Sequence, residues 1–174
     1  PVYDGGGIAP DVNTENQTLG DISIALMQKM IVFDFATQYH FEHDSIISPD
    51  SFRVSDELYE EFKAFLSDKE LEYTTESELM LEAMKESLEE EKQYEVLKPE
   101  FEALEEKLLH SKTEDLETFS VEIKEMLRSE IVSRYYYQQG RIAAMLQDDP
   151  VVNEAKALLL DKQKYASLLS VAEE

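Results

Sequence analysis

The fold class of this chain is decided by residues 116–146, which read LETFSVEIKEMLRSEIVSRYYYQQGRIAAML. Apolar residues recur there three or four positions apart, and this spacing places side chains along one face of an α-helix. The apolar positions are Leu116, Phe119, Ile123, Met126, Leu127, Ile131, Tyr135 and Ile142. The stretch therefore predicts one long amphipathic helix that continues to about Leu146.

Helix starts can be placed along most of the chain. A Ser or Thr followed three residues later by Glu is the spacing of a capping box, in which each side chain satisfies a free backbone amide of the first turn. Asp and Ser are also favoured N-cap residues, and proline is favoured in the first helical turn. The candidate starts are Asp21, Ser55, Thr75 with Glu78, Ser111 with Glu114, and Asp149 before Pro150. These signals predict an all-α bundle of about five to six helices.

The first of these helices is expected to run without a break from Asp21 to Tyr39 and to be deeply buried. Apolar side chains surround much of its circumference, which is typical of a helix at the centre of a domain. They are Ile22, Ile24, Leu26, Met30, Ile31, Phe33 and Phe35. The sequence therefore places this helix in the middle of the bundle.

Pro99 interrupts the apolar spacing that begins at Leu79 and continues through Leu104 to Leu108. Proline inside a helix removes a hydrogen bond and pushes the preceding residue out of α geometry. We expect one helix to end near Leu97 and another to start with Pro99 in its first turn. A single kinked helix is the alternative.

The first thirteen residues differ in character from the rest of the chain. Glycine runs occur where the backbone adopts positive φ or passes close to another segment, because no Cβ obstructs it. The β-branched and aromatic residues beside them favour extended structure. The segment contains Val2, Tyr3, Gly5, Gly6, Gly7, Ile8, Pro10 and Asp11. It predicts a short extended, glycine-rich piece, and a flexible linker end is the alternative.

This glycine segment resembles one found in the carboxy-terminal processing proteases, serine peptidases of the bacterial cell envelope that use a Ser-Lys dyad. The family pattern is Val-Tyr-Gly-Gly-Gly-Gly-Ile-x-Pro-Asp, and Asp4 stands where the family usually has another glycine. Residues 34–37, 59–66 and 133–142 are similar to the helical tail of Bacteroidetes-type members. The resemblance implies that the chain is the tail of such an enzyme.

The resemblance also implies a division of the chain and a role for each part. Residues 1–13 would be a remnant of the protease core, and residues 14–174 a C-terminal helical domain. The parent enzyme would act in the periplasm or cell envelope, on protein or peptide substrates near their C-termini, with no cofactor. The domain would be linked to the upstream protease domain and would scaffold it, control substrate access or form a homodimer. No signal peptide is seen here, as expected if the targeting sequence lies further upstream.

Composition excludes several classes of partner. The chain has 39 acidic and 16 basic residues and a formal net charge of −23. Nucleic acid is therefore not expected as a partner, because its binding depends on Lys and Arg at the phosphates. No apolar run approaches the ~20 residues that span a bilayer, so membrane insertion is not expected. The absence of cysteine excludes disulfides and thiolate metal sites.

No residue of this chain is expected to be catalytic. A serine peptidase needs a nucleophile with a base within hydrogen-bond reach and an oxyanion hole. Neither a serine followed by small residues at a helix start nor a lysine in a glycine-flanked strand is present. Ser120, Ser129 and Ser133 fall within a predicted helix, where hydroxyls usually bond back to the backbone.

A metal site is weakly suggested by His40 and His43, which lie beside Glu42 and Asp44. The spacing of three would place both imidazoles on one helix face. Since no third histidine lies nearby, a polar helix end is the preferred interpretation and no metal is expected. A helical metal-binding protein remains a rival interpretation, and a stand-alone α-helical protein-interaction domain is another.

One stretch of the long helix is unusual. Its three adjacent tyrosines point in different directions around a helix and cannot all face one core. Gly140 costs roughly 1 kcal/mol relative to alanine inside a helix and can permit close approach of another element. Tyrosine and arginine are also enriched at protein interfaces. The candidate interface residues are Arg134, Tyr135, Tyr136, Tyr137 and Arg141. Packing against a neighbouring helix is the preferred interpretation, and an interface with the protease core or a second subunit is the alternative.

Overall fold

The computed structural model describes residues 10–14, 18–108 and 112–169. Within these residues the chain forms nine α-helices and no strand, which confirms the all-α prediction. The helices are α1 (Asp21–Gln28), α2 (Ile31–Glu42), α3 (Asp56–Ser67), α4 (Glu76–Glu90), α5 (Tyr94–Leu108), α6 (Lys112–Thr118), α7 (Ser120–Asp148), α8 (Pro150–Leu160) and α9 (Lys162–Leu169). Residues 2–8 of the glycine segment and the Ser111 cap lie outside the described residues, while Pro10 and Asp11 lie on an exposed bend-containing stretch.

The core is built around the first part of α7. Ile123, Leu127, Ile131 and Val132 are each 0% exposed. Helix α2 packs along this part of α7, and α3 closes the core from another side. The ring of Phe35 meets that of Phe62 edge-on at 5.2 Å between centroids. The helical spacing predicted for residues 116–132 is therefore the spacing that fills the core.

The predicted continuous helix over residues 21–39 is wrong, because the chain turns between α1 and α2. Met30 adopts φ 58°, a left-handed conformation that ends one helix before the next begins. The turn lets Leu26 of α1 and Val32 of α2 both enter the core. Three of the expected core residues, Ile24, Met30 and Phe33, remain exposed to solvent instead, and Met27 is exposed as well.

Asp21 does not cap α1 as predicted. The N-cap is Gly20, whose amide donates to Oε1 of Glu122 at 3.0 Å. A Cβ on this glycine would lie 2.5 Å from the ring of Phe119, so only glycine lets the two segments approach this closely. The carboxylate of Asp21 instead accepts a hydrogen bond from the amide of Glu76, at the start of α4.

Three other predicted caps are confirmed. The Ser55 hydroxyl accepts from the amide of Leu58 at 3.2 Å. A complete capping box joins Thr75 and Glu78. The Asp149 side chain accepts hydrogen bonds from two amides of the first turn of α8, and Pro150 is the first residue of that helix. Short polar side chains at these points satisfy amides that have no partner within the helix.

The predicted helix end near Leu97 is wrong, because Leu97 lies inside α5 and the break between α4 and α5 lies at residues 91–93. Lys92 adopts φ 58°, its amide donates to Glu89 O, and the amide of Gln93 donates to Leu88 O at 2.8 Å. This pair of hydrogen bonds is the Schellman motif, which ends a helix at a left-handed residue. Pro99 lies inside α5, so the predicted new helix start at Pro99 is wrong.

The α4–α5 hairpin lies outside the main core. Leu81 and Phe101 are buried between its two helices, at 8% and 5% exposure. Several positions predicted to be apolar core are instead exposed, and so are two methionines on α4. The exposed apolar residues of the hairpin are Leu79, Met80, Met84, Val96, Leu97 and Leu104. The helical period was predicted correctly there, but the burial was not.

A buried tyrosine joins α3 to α6. The Tyr59 hydroxyl donates to Leu116 O at 2.5 Å, and burial raises the pKa of Tyr59 to about 12. Above the ordinary tyrosine value of 10.0 the unfolded chain loses this proton while the folded chain retains it. The free energy of unfolding is therefore complete below that pH and falls as pH rises toward 12.

We expect the alkaline loss of stability to be smaller in Tyr59→Phe, which keeps the ring and removes the ionisable hydroxyl. The same variant should lose about 1 kcal/mol at neutral pH, because the buried carbonyl of Leu116 loses its donor. Thermal unfolding between neutral pH and pH 12 measures both effects. Identical alkaline slopes in the two proteins would contradict the assignment.

Candidate interface on the α7 hairpin

Helix α7 is a hairpin of two arms rather than one continuous helix. The guanidinium of Arg141 contacts the carboxylate of Glu130, and Arg128 Nη1 lies 2.5 Å from Asp148 Oδ2. In a straight helix, residues 20 apart are separated by about 30 Å. The chain therefore reverses at Tyr137, whose φ 56° and ψ −159° are not helical. The prediction of an unbroken helix to Leu146 is wrong at this point, and the arms are residues 120–136 (first arm) and 138–148 (second arm).

Gly140 provides the close approach between the arms that the sequence suggested. It is buried, and a Cβ at this position would lie 3.3 Å from Val132 Cγ1 of the first arm. The same Cβ would also overlap Cβ of Tyr136. Ala144, one helical turn further along, is 1% exposed. A stripe of two small residues thus lets the second arm lie directly on the first.

Glu130 links the two arms electrostatically. Its carboxylate contacts Arg141 of the second arm and accepts a 2.7 Å hydrogen bond from Arg134 of its own arm. Arg134 also donates to Thr37 Oγ1 at 3.2 Å and lies 4.2 Å from the ring centroid of Phe33. Burial lowers the pKa of Arg134 from its usual value. Arg134 is therefore already engaged in packing α7 on α2.

Two of the three adjacent tyrosines form hydrogen bonds with another part of the domain, and the third is exposed to solvent. The Tyr135 hydroxyl donates to His43 O at 2.7 Å, and the Tyr136 hydroxyl donates to Ile46 O at 3.1 Å. Burial raises the pKa of Tyr135, and the nearby Tyr39 raises it further. Tyr137 is 79% exposed. Two tyrosines thus fasten the loop after α2, and the third stands in solvent at the turn of the hairpin.

The accessible surface of the hairpin lies mostly on its second arm. The second arm carries Ile142, Met145 and Leu146 at positions i, i+3 and i+4. These residues are 49%, 57% and 45% exposed. We call these three residues the second-arm face. Of these three residues, only Ile142 was among the apolar positions predicted for the long helix. The spacing i, i+3, i+4 of these residues could be seen in the sequence. Their exposure to solvent could not, because it depends on the reversal of the chain at Tyr137.

The two histidines have separate surroundings. The His43 ring stacks on that of Tyr39 at 4.0 Å between centroids, after α2 has ended. The His40 ring instead meets Tyr135 edge-on at 4.6 Å. Among the described side chains, no group of three His, Asp or Glu residues is arranged to hold a metal ion.

The serines of α7 were predicted to occupy ordinary helical positions, and Ser133 shows the expected contact. Its hydroxyl donates to Glu130 O at 2.7 Å, three residues back along the helix. This is the usual bond of a helical serine to its own backbone.

No helix in the described residues has the length and apolar character needed to cross a bilayer.

A cleft of about 560 Å³ lies along the α4–α5 hairpin. Leu81 and Phe101 line its apolar part. Five carboxylates surround it: Glu78, Glu82, Glu86, Glu89 and Glu105. Lys85 also lines the cleft. The cleft is therefore unsuited to anionic partners, as the overall charge of the chain also indicates.

Comparison with protein families identifies the domain. Residues 22–159 match the family described as "Probable PDZ-protease, C-terminal helical domain". The match covers most of the chain and all of α2 to α7, and the chain belongs to this family. No curated protein and no solved structure matches the chain significantly. The domain is thus the helical part of a protease.

Proposed function

We propose that the parent protein is a carboxy-terminal processing serine peptidase of the periplasm or cell envelope, and that this domain scaffolds it by docking on the protease core. Residues 1–13 would be the last part of that core. The family match supports a protease, and the glycine segment supports the type of protease. Control of substrate access and formation of a homodimer are further roles that the same surface could serve.

The observation that carries the scaffolding role is the exposed apolar surface of the last three helices. The second-arm face is exposed, and neither α8 nor α9 contains a buried residue. Val151, Leu159 and Leu160 add to the exposed apolar surface on α8. The three residues of the second-arm face are neighbours on one helix face, and an exposed apolar patch typically marks an interaction site. Tyr137 and Arg141 lie beside it, and both residue types are enriched at interfaces.

The test compares hydrolysis of an unstructured peptide by the full-length protein and by the 174-residue chain. Only the full-length protein should cleave the peptide, because catalysis is assigned to residues upstream of this domain. Within the full-length protein, Leu146→Glu should reduce cleavage by disturbing docking. Leu104→Glu is a matched control, since Leu104 and Leu146 are both 45% exposed.

Two results would refute the proposal. Cleavage by the 174-residue chain would place the catalytic residues in this domain. Equal activity of the Leu146→Glu and Leu104→Glu proteins would remove the second-arm face from the docking surface. The fold of each variant can be checked from its circular dichroism spectrum, since both substitutions replace exposed side chains.

A further inference from the structure

We infer that Tyr137 is a hinge through which two copies of this chain exchange residues 138–169 and form a domain-swapped dimer. In the exchanged form, α7 would be one straight helix, and its second arm would pack on the first arm of the other copy. The inference rests on the geometry of α7 and is independent of the proposed peptidase function.

The hinge residue is held in an unfavourable backbone conformation. Tyr137 has φ 56° and ψ −159°, a region open almost only to glycine. Its side chain is 79% exposed, so burial of the ring does not hold it there. The conformation is instead imposed by the contacts between the arms. Strain of this kind is released when the hairpin opens.

The straight form is compatible with the local sequence. Residues 131–139, which span the hinge, contain neither glycine nor proline, and Ile131, Tyr135 and Ile142 follow the apolar spacing predicted for one helix. Straightening α7 moves Tyr137 into helical geometry, which tyrosine tolerates well. The features that predicted an unbroken helix from the sequence are therefore those that stabilise the open form.

The second arm buries only small residues of its own. Gly140 and Ala144 are its buried residues, and α8 and α9 have none. The contacts of Arg141 with Glu130 and of Arg128 with Asp148 link the two arms. A second copy offers the same partners in the same arrangement. Exchange therefore restores every contact between the arms and relieves the strain at two hinges, against the entropic cost of association.

Two substitutions at the hinge should change dimerisation in opposite directions. Tyr137→Gly relieves the strain in the closed hairpin and disfavours the straight helix, so the dimer should weaken on the order of a hundredfold, since each dimer has two hinges. Tyr137→Ala keeps the Cβ and favours the helix, so the dimer should strengthen several-fold. Light scattering after size-exclusion chromatography, over a dilution series, measures the dimer fraction. A monomer in all three proteins, or equal dimer fractions, would overturn the inference.

Cross-linking distinguishes exchange from association of closed hairpins. The chain has no cysteine, so Glu130→Cys with Arg141→Cys, joined by a bismaleimide reagent about as long as the two side chains that it replaces, introduces one linkable pair across the arms. In an exchanged dimer this pair joins two chains, and denaturing electrophoresis of the dimer fraction should show a covalent dimer. If the chains of the dimer fraction are linked only internally, the hairpins are closed and the inference is wrong.

Discussion

Replacing Ile123 with alanine should lower the free energy of unfolding by about 2–5 kcal/mol. Ile123 is 0% exposed and lies in the first arm of α7, where the packed core leaves little room for collapse around a cavity. Urea denaturation followed by circular dichroism measures the change. A loss of this size would place the first arm at the energetic centre of the domain.

Leu104→Ala is the matched comparison, because the sequence assigned both positions to the core. Leu104 is 45% exposed on α5, so its truncation should change stability by no more than about 0.5 kcal/mol. Similar losses in the two variants would mean that the α4–α5 hairpin packs against the main core. A loss in Leu104→Ala alone would reverse the assignment of the core.

The local chemistry of helix starts was readable from the sequence. Ser55, Thr75 and Asp149 cap helices as predicted, because a short polar side chain can satisfy first-turn amides whatever the rest of the fold does. The apolar spacing that surrounds Ile123 was equally informative, since it follows from helical geometry alone. Such features depend on a few neighbouring residues, and a single sequence contains them.

Helix ends were not predictable in the same way. Met30, Lys92 and Tyr137 all adopt positive φ, and none of them is glycine. The usual signal for a left-handed helix end is therefore missing at each of these positions. At Lys92 the helix end is fixed by hydrogen bonds to Leu88 and Glu89, and at Tyr137 it accompanies the packing of Gly140 against Val132 of the first arm. This is why the structure divides the predicted helices and why α7 folds back.

The candidate interface was found only in part for the same reason. The run of tyrosines could be recognised in the sequence. The contacts that it makes could not, because Tyr135 and Tyr136 bind a loop some 90 residues earlier. The second-arm face emerges only once the hairpin is known. Whether Arg134, Tyr135, Tyr136, Tyr137 and Arg141 contact a partner stays a prediction.

The second large effect is expected at the buried ion pair between the two arms of α7. The Arg128 side chain is 1% exposed, while that of its partner Asp148 is 51% exposed. Arg128 also contacts Glu125 at 3.2 Å, and Arg53 lies 3.3 Å from the same oxygen of Asp148. In the described part of the chain, Nε and Nη2 of Arg128 have no hydrogen-bond partner. The pair is therefore asymmetric, with a buried cation and a carboxylate that reaches solvent.

This asymmetry predicts that the two halves of the pair are not equivalent. Asp148→Ala takes the closest carboxylate from a buried guanidinium and should cost about 3 kcal/mol or more, because a charge without adequate compensation remains buried. Arg128→Met removes the charge while filling most of the space, so it should change stability by less than about 1 kcal/mol in either direction. The carboxylate that it leaves behind keeps Arg53 and water as partners.

The double variant Arg128→Met with Asp148→Ala separates this explanation from a simple loss of contact. If the cost of Asp148→Ala comes from the stranded cation, removing Arg128 as well should recover most of the lost free energy of unfolding. Urea denaturation of the two single variants and the double variant gives the coupling between the sites. If the pair acts only as an attractive contact between the arms, Arg128→Met alone would cost as much as Asp148→Ala. Equal costs in the two single variants would therefore show that Arg128 holds the hairpin closed through its charge, and the explanation from burial would be wrong.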